Sequence, residues 1–600
     1  MLTRDTAKNA QFSPEYRHCK ANDAKDQAAR AEDYAKALRI LVKRRRAIQT
    51  ARPFHVLEVS KDAVHFTYAN GAVCYTTKQT SPIHQHHLRI LTLKGPSAKE
   101  VSIDVLQLIE ASAIMDFEES RPYRFKPLYH ADGIVSCLYE QRKSPGSGRW
   151  LIIYSLKEKK ILSSHSLRST SNIFVRNNDK YLYYGTRSEL VEGQRRWSIC
   201  GFNLEESKWL PRRFILRDLV GSDIGSTICF EIFGDHLYGV SSQEVTEWED
   251  AEWGSPGSPL DSFYYAFRLP LGDHSSIKVL PRPALWRRGA AEGPIDDRWN
   301  QLQLGQDEKT GQVSIFETRK EWLTSWSRRS CYQKKLPWPS LCKNTDGHAE
   351  GKHCNGWNAV PPNETSLRDS VHRGDNGFCS STFDFRNSPV RSYNPSCQAF
   401  VDMVSTTTAS SPAAKRLWLR VRGRPHEACP TLDSCQPPSS PNGVADAVNE
   451  DQHVRLWPVD QPKQDEQRNS WPDQSWNQYI DELLNPKACF DEVDSAMDES
   501  VIAYSPKTID PPDGPRSIIL VSFDPSLHFE GLCHAGSTPP SLTSVQLNRD
   551  NGPLSVSENG RDFTKSQQEM ARVRGLDLSL FPKRCGKTTH TSSTSLPKSL

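Results

Sequence analysis

A β-hairpin pattern recurs along this chain, and it constrains the fold more than any other feature. Its clearest copy lies at residues 178–202, which read N-D-K-Y-L-Y-Y-G and, after a polar gap, R-R-W-S-I-C-G-F. Two aromatic and β-branched runs around turn-forming residues are typical of a hairpin. A related phrase, G-D-H-L-Y-G-V, stands at 234–240, followed by S-F-Y-Y-A-F-R-L at 262–269. Recurrence at irregular intervals of roughly fifty to eighty residues is typical of propeller blades joined by variable loops.

Five such units can be placed on the sequence. The first contains a hairpin at 64–77, in which the Asn70-Gly71 pair tolerates the positive φ angles of a type I′ turn. The others are predicted at 125–166, 172–214, 227–280 and from Trp299 onward. Alternation of apolar and polar residues in these stretches indicates half-buried antiparallel strands. We therefore predict a mainly β, irregular propeller-like array of antiparallel four-stranded sheets.

Further strand-sized or helix-sized segments follow a stretch rich in Pro, Ser, Asn, Gly and His. They lie at 396–404, 415–422, 454–457, 476–484 and 516–524. Isolated strands are unstable in water, so these segments are expected to complete the same sheet system. The last one contains the nearly continuous apolar run S-I-I-L-V-S-F at 517–523, which suits a strand buried on both faces. We predict that it pairs with strands near 55–77 and closes the ring.

Composition and patterning set the predicted boundaries. Only 36% of the 600 residues are apolar and the mean hydropathy is −0.63, so a large share of the chain is expected to lie outside any core. We predict a disordered segment at 1–21, an amphipathic helix at 22–50 and the propeller-like domain at 53–529. Within that domain a low-complexity, disordered insertion is predicted at about 334–389, and a disordered tail at 530–600.

The N-terminal helix carries two notable patterns. Its predicted apolar stripe is Tyr34, Ala37, Leu38, Leu41 and Val42, at the spacing of one helix face. The run K-R-R-R at 43–46 lies near the C-terminal end, where positive charge complements the helix dipole. One interpretation is a solvated basic face; the other is a patch for nuclear import or an acidic partner.

Several functional classes find no support in the sequence. The 76 basic and 72 acidic residues are too balanced to indicate nucleic acid, and no run approaches the eighteen or so apolar residues of a membrane span. The fifteen cysteines include no C-x-x-C pair, so reduced thiols in an intracellular protein of the cytoplasm or nucleus are expected. No phosphate loop, nucleophile elbow or H-E-x-x-H motif occurs. We expect no catalytic residue, cofactor or metal, and protein partners only.

Two residue clusters can each be interpreted either as a chemical site or as a feature without function. The acidic, Trp-containing loop at 244–253 is read as a solvated loop, with acid–base catalysis as the minor alternative. The Cys and His residues scattered over 331–379 match no zinc spacing, which favours accidental clustering over a structural metal.

The candidate partner-binding surface lies on one predicted strand. Leu417, Leu419 and Val421 would face the core, which puts four residues on the opposite face: Arg416, Trp418, Arg420 and Arg422. One interpretation is an edge strand whose charges prevent aggregation. The other is a surface for an acidic or phosphorylated partner, because arginine and tryptophan are enriched at binding hot spots.

Several phrases resemble a family of uncharacterised filamentous-fungal F-box proteins. They are R-P-F at 52–54, F-T-Y-A-N-G-A-V-C-Y at 66–75, F-E-I-F-G-D-H-L-Y-G-V-S at 230–241, G-P-I-D-D-R-W at 293–299, R-K-E-W at 319–322, R-S-Y-N-P-S at 391–396 and S-F-D-P at 522–525. The resemblance covers most of residues 35–529. It implies an N-terminal F-box that docks on the adaptor of a cullin-RING ubiquitin ligase, and a propeller-like remainder that selects substrates.

The chain departs from that family at its N-terminal end. An F-box opens with Leu-Pro, and no Leu-Pro pair here begins a run of helical periodicity. The resemblance therefore implies the substrate-recognition part of a ligase receptor, with adaptor binding only if an F-box is encoded upstream. The alternative is a propeller scaffold with no ubiquitin-ligase role.

Overall fold

The computed structural model describes most of the predicted β domain and parts of both flanks. The described ranges are 10–16, 27–338, 372–376, 388–423, 454–458, 474–529, 533–534, 568–570 and 574–577. Within them, the description leaves out 14, 79–85, 94–97, 113, 115–120, 143–146, 192, 243–261, 274–275, 289–293, 323–326, 409–410, 487–489 and 509–513. The acidic loop at 244–253 lies outside the described residues.

The described strands form antiparallel sheets that follow one another along the chain. In order, the strands are β1 His55–Ala69, β2 Ala72–Lys78, β3 His86–Thr92, β4 Lys99–Asp104, β5 Tyr123–Ala131, β6 Ile134–Arg142, β7 Ser147–Ser155, β8 Lys160–Ser166, β9 Phe174–Asn177, β10 Tyr181–Val191, β11 Gln194–Asn203, β12 Lys208–Trp209, β13 Phe214–Leu216, β14 Ile228–Phe233, β15 His236–Ser241, β16 Ser262–Phe263, β17 Tyr265–Pro270, β18 Lys278–Val279, β19 Trp286–Arg288, β20 Gln301–Gln306, β21 Val313–Trp322, β22 Ser327–Lys335, β23 His372–Asn376, β24 Tyr393–Asn394, β25 Ala399–Thr408, β26 Ser411–Gly423, β27 Val454–Trp457, β28 Glu492–Met497, β29 Val501–Lys507, β30 Arg516–Ser522, β31 Cys533–His534, β32 Gln568–Met570 and β33 Arg574–Asp577. The helices are α1 Gln27–Gln49, α2 Val105–Ala111 and α3 Gln474–Leu484, with 3-10 turns at Ala10–Phe12, Arg282–Leu285 and Asp297–Trp299.

Seven blades can be traced among these strands. Blades 2 to 6 are β5–β8, β9–β12, the order β14-β15-β17-β18, β20–β23 and β24–β27. Blade 1 is the second half of β1 with β2, β3 and β4, and blade 7 is β28, β29 and β30 with the first half of β1. Successive first strands lie side by side: β1 with β5, β5 with β9, β9 with β14, and β14 with β20. The predicted array of antiparallel four-stranded sheets is confirmed.

Strand β1 closes the ring. Its first half pairs with β30, with His55 opposite Ser522 and Val56 opposite Val521, while its second half pairs with β2. Register shifts between residues 58 and 63 mark the passage from one blade to the next. The predicted pairing of the apolar run at 517–523 with the N-terminal strand is confirmed, and β30 is buried along its whole length.

The blade 1 hairpin has the predicted turn. Asn70 and Gly71 have φ angles of 51° and 74°, and Ala69 lies directly opposite Ala72. Both central residues of a type I′ turn need positive φ, which Asn and Gly tolerate best. The Asn70 side chain also donates from Nδ2 to the backbone oxygen of His130 over 2.9 Å. This turn therefore joins blade 1 to blade 2.

The basic run of α1 is only half solvated, since Lys43 and Arg46 are exposed whereas Arg44 and Arg45 are buried. The helix buries a stripe formed by Ala37, Leu41, Arg44 and Ile48, in which Arg44 is 1% exposed. The Arg44 guanidinium pairs with Glu15, lies 3.8 Å from Glu499 and lies 3.9 Å from Asp524. Burial opposes the charge of Arg44, but these three carboxylates outweigh it and raise its pKa. Arg44 is therefore an internal ion-pair centre.

Residues 10–16 lie on the same end of the propeller as α1. The backbone amide of Glu308, in the β20–β21 turn, donates to the carbonyl of Gln11 over 2.9 Å. The Phe12 ring packs edge-on against Phe316, with centroids 5.4 Å apart. This segment, predicted to be disordered, is in its described part docked on blade 5.

The predicted low-complexity insertion and C-terminal tail also contain strands. In the insertion, β23 pairs with β22. In the tail, β33 pairs with β1 and β31, and β32 pairs with β4. Because these strands add to outer edges, where backbone groups were free to pair, their sequences need little apolar character. These short strands lie within the two ranges predicted to be disordered, and the rest of both ranges lies outside the described residues. None of the described helices is long and apolar enough to cross a membrane.

Candidate functional site

The four residues predicted as a partner-binding surface do not form one exposed face. Strand β26 is paired on both sides, with β25 and β27, so it is not the edge strand of the alternative interpretation either. Arg416 has a side chain 50% exposed and lies 3.5 Å from Asp481. Trp418 and Arg422 are half-buried, whereas Arg420 is 2% exposed. Arg420 therefore cannot contact a partner directly. Its charge instead pairs with a buried carboxylate, that of Asp402.

Arg420 belongs to a buried ion trio that joins blades 5 and 6. Asp402, on β25, accepts from Nη1 of Arg329 through both carboxylate oxygens at 2.8 Å and from Nη2 of Arg420 at 2.6 Å. The backbone amide of Ser392 also donates to Asp402 over 3.2 Å. Burial would raise the pKa of Asp402, but the two guanidiniums outweigh burial and lower it. The Asp402 carboxylate is therefore ionised, and both of its oxygens accept hydrogen bonds from within the protein.

Trp299 lies above this trio and gathers three cations around its ring. The Arg391 guanidinium lies 4.5 Å from the ring centroid, that of Arg329 5.4 Å, and the Lys320 ammonium 5.6 Å. The indole is 4% exposed, so these cation–π contacts are shielded from water and are stronger than surface ones. Lys320 also lies 4.4 Å from the ring of Trp322, which is 44% exposed.

The outer layer of the site is open to solvent. The Arg298 side chain is 81% exposed and donates to both oxygens of Asp296, from Nε over 3.0 Å and from Nη2 over 3.1 Å. Arg391 donates to the backbone oxygen of Arg298. The blade 4–5 connection supplies Asp296, Arg298 and Trp299, and the end of β21 supplies Trp322. We call this group the arginine–tryptophan cluster: Asp296, Arg298, Trp299, Lys320, Trp322, Arg329, Arg391, Asp402 and Arg420.

Positive charge is in excess within the arginine–tryptophan cluster. Among its nine members, five are cationic and two are carboxylates. In the described part of the chain, no carboxylate lies within 4 Å of Arg391, and Nε and Nη2 of Arg329 have no hydrogen-bond partner. Burial and the like charge of Arg329 lower the pKa of Arg391. An arginine whose charge is disfavoured by its surroundings is a group that an incoming anion would stabilise.

A second buried network supports the site from blade 4. Glu317 is fully buried and accepts from Nε of Arg287 at 3.0 Å, Nε of Arg319 at 2.8 Å and the Tyr264 hydroxyl at 2.5 Å. Burial opposes the charge of Glu317, but the two arginines overcome it and lower its pKa to about 2. All of these partners lie inside the protein. This network therefore fixes β21, and with it Lys320 and Trp322, rather than offering a second binding surface.

The other candidate chemistry receives no support from the described residues. The six cysteines whose side chains the structure describes are free, and Cys331 is buried in β22, where its backbone pairs with that of His372 in β23. Among the residues that the structure places, no three metal-binding side chains converge.

Sequence reasoning missed most of the arginine–tryptophan cluster, although a signal was present. Three of the phrases quoted for the family resemblance meet there: 293–299 supplies Asp296 and Trp299, 319–322 supplies Lys320 and Trp322, and 391–396 supplies Arg391. Nothing in their spacing shows that segments almost a hundred residues apart adjoin in space. Only the placement of blades 5 and 6 next to each other brings them together.

Comparison with known proteins gives limited information. No family model matches the chain, and no curated protein is similar to it. The β-propeller domain of the Trilobed protease from Pyrococcus furiosus is 9% identical, over 60% of this chain and 95% of that one, with a TM-score of 0.26. The polysaccharide lyase Uly1 is 9% identical over 78% and 91% of the two chains, with a TM-score of 0.31. An oligogalacturonate lyase from Vibrio parahaemolyticus is 7% identical over 68% and 100%, with a TM-score of 0.26. Such low scores carry no functional argument, and the fold rests on the sheets described above.

Proposed function

We propose that this propeller is a protein-interaction module and that it binds an acidic segment of a partner protein at the arginine–tryptophan cluster. The observation that carries this proposal is Arg391, a half-buried guanidinium stacked 4.5 Å from Trp299, with no described carboxylate within 4 Å. Arginine and tryptophan in a partly desolvated site are the residue types that dominate binding energy at protein interfaces.

The cluster has the organisation of an interface hot spot. The ion trio of Asp402 and the network of Glu317 hold its base rigid, so little side-chain entropy is lost when a partner binds. Trp322 and Arg298 at the rim are exposed and offer an apolar ring beside a planar donor. A carboxylate or a phosphate can accept hydrogen bonds from the N–H groups of Arg298 that Asp296 does not already take.

A narrower proposal rests on the family resemblance alone. In that case the module is the substrate-recognition part of an F-box-type ubiquitin-ligase receptor, and the acidic segment belongs to the substrate. A scaffold without any ligase role would use the same surface. No nucleic acid, membrane or cofactor is part of either version, and neither version is an enzyme.

Affinity purification tests both versions together. The tagged chain, a variant with Arg298→Gln and Arg391→Gln, and the control Arg416→Gln are expressed in parallel. We expect the double variant to lose partners that the control keeps. Co-purification of a cullin and its adaptor with the product of the full locus supports the ligase version, and their absence supports the scaffold. Identical partner sets for all three chains would contradict the proposed binding site.

A further inference from the structure

The end of the propeller opposite the arginine–tryptophan cluster carries the opposite charge. A cavity of about 1320 Å³ lies there, between the turns that join the first two strands of each blade and the N-terminal segment with α1. Its lining includes nine aspartate and glutamate side chains but only three lysine and arginine side chains. The chain as a whole has a net charge of +4, so this excess of negative charge is local. We call this cavity the channel mouth.

One side of the channel mouth already holds a cationic side chain of the protein. On the side of blade 7, the Arg44 guanidinium sits among Glu15, Glu499 and Asp524. The opposite side, formed by blades 2 to 4, carries Asp132, Asp179 and Asp235 on three successive turns, and all three are exposed. Lys180 is the only lysine or arginine among the lining residues that these blades contribute, so negative charge is in excess there.

Asn177 provides an independent indication of a ligand. It lines the channel mouth, its side chain is 5% exposed, and its Nδ2 donates to the backbone oxygens of Ala131 and Asn178 at 3.0 and 3.1 Å. Its Oδ1 has no hydrogen-bond partner in the described part of the chain. A buried amide oxygen without a donor is costly, and an N–H group of a ligand would satisfy it.

The arrangement favours an elongated organic cation over a metal ion. A metal needs several ligand oxygens converging on one point, and no three candidate ligands converge among the residues that the structure describes. The carboxylates instead lie on separate blades around the cavity. Ile232 on blade 4 and Leu304 on the neighbouring blade 5 form apolar parts of the same wall. Spaced carboxylates beside an apolar wall match a chain of ammonium groups separated by methylene groups.

We propose that the channel mouth is a binding site for an aliphatic polyamine-type cation, whose ammonium groups face the turns of blades 2 to 4 and whose methylene groups lie along Ile232 and Leu304. This site is separate from the arginine–tryptophan cluster, so either proposal can fail without the other.

Isothermal titration calorimetry of the full chain with spermidine tests the proposal. The site variant carries Asp132→Asn, Asp179→Asn and Asp235→Asn. Asparagine is nearly isosteric with aspartate, and it tolerates the positive φ of 50° at Asp132. We expect saturable binding with about one spermidine per chain at low salt, and roughly tenfold weaker binding by the site variant, the combined effect of three exposed ion pairs.

The matched control removes three acidic charges from the same end of the propeller but at its rim. Glu158→Gln, Glu205→Gln and Glu206→Gln lie in the turns before the outermost strands of blades 2 and 3. Two strand spacings, about 10 Å, separate those turns from the inner ones. This distance is comparable to the Debye length at 0.1 M salt, so the exposed rim charges act only weakly on a ligand in the channel mouth. We expect the control to bind spermidine within about twofold of the unmodified chain.

Three outcomes would overturn the proposal. They are the absence of saturable heat with spermidine, equal weakening by the site and control variants, and displacement of spermidine by an equal concentration of Mg²⁺. The last two would mean that only the net charge of the protein attracts the ligand. Putrescine, which has only two ammonium groups, tests the effect of ligand length. We expect it to bind more weakly than spermidine because it reaches fewer turns.

Discussion

Arg329 on blade 5 and Asp402 on blade 6 form a buried ion pair in which one guanidinium nitrogen lies 2.8 Å from both carboxylate oxygens. Both side chains are at most 1% exposed. A buried pair of this kind adds little net stability over an apolar pair, but removing one partner leaves an uncompensated charge. The pair therefore links two blades below the proposed binding surface.

Asp402→Asn should destabilise the domain strongly. The substitution leaves Arg329 and Arg420 without their carboxylate, and the loss of one partner of a buried ion pair costs about 3–5 kcal/mol. Urea unfolding followed by tryptophan fluorescence measures the change. The control is Glu158→Gln, which breaks the exposed pair with Lys160 and should cost less than about 1 kcal/mol. Equal effects of the two substitutions would contradict the structural role of the trio.

Glu499 should make stability fall as the pH rises. Burial, assisted by the nearby carboxylates of Glu15 and Asp498, raises the pKa of Glu499 from 4.5 to about 8, even though Arg44 opposes the shift. A carboxyl group with a raised folded-state pKa contributes stability that is fully present below pH 4.5 and is lost as the pH rises through 8.

Thermal melts at pH 5.5, 7.0 and 8.5 test the role of Glu499. Over this pH range the melting temperature of the unmodified chain should fall further than that of Glu499→Gln, because glutamine cannot ionise. Parallel pH profiles for the two proteins would show that the Glu499 carboxyl does not carry the effect.

Closure of the ring predicts a difference between two truncations. A chain ending at Pro515 lacks β30, which exposes the edge of β1 and the apolar core that β30 covers. A chain ending at Gly531 keeps β30 and loses only the outer strands β31, β32 and β33. We expect a large drop in melting temperature and soluble yield for the first truncation and almost none for the second. Equal melting temperatures would mean that the propeller closes elsewhere.

Local patterns in the sequence were sufficient for much of the fold. The alternation of apolar and polar residues located the hairpins, and the Asn70-Gly71 pair identified the turn of the first one. The apolar run at 517–523 indicated a strand buried on both faces. These features depend on neighbours in the chain, so they are readable without a structure. Outer strands such as β33 were missed because an edge strand gains its stability from backbone pairing and leaves little trace in hydropathy.

The candidate site was predictable only in part. The alternation of β26 correctly placed Leu417, Leu419 and Val421 in the core. The same alternation suggested that the opposite face was exposed, whereas in a propeller both faces of a blade pack against neighbours. Arg420 is therefore buried opposite Asp402, and the second partner of Asp402, Arg329, comes from another blade. Arg44 on α1 is likewise buried beside Glu499, far away in the sequence. Pairing across such sequence separations has no local signature, and burial of arginine runs against the usual exposure of charge.

Binding to an array of synthetic peptides tests the central claim most directly. The full chain is compared with Arg391→Gln and with Arg416→Gln, the exposed arginine of β26 outside the cluster. We expect the unmodified chain and Arg416→Gln to select peptides rich in aspartate, glutamate or phosphorylated residues. Arg391→Gln should weaken that binding about tenfold, since a hydrogen bond to a charged group contributes about 1.5–3 kcal/mol. No preference for acidic peptides, or an unchanged preference in Arg391→Gln, would contradict the assignment of the arginine–tryptophan cluster as the partner-binding site.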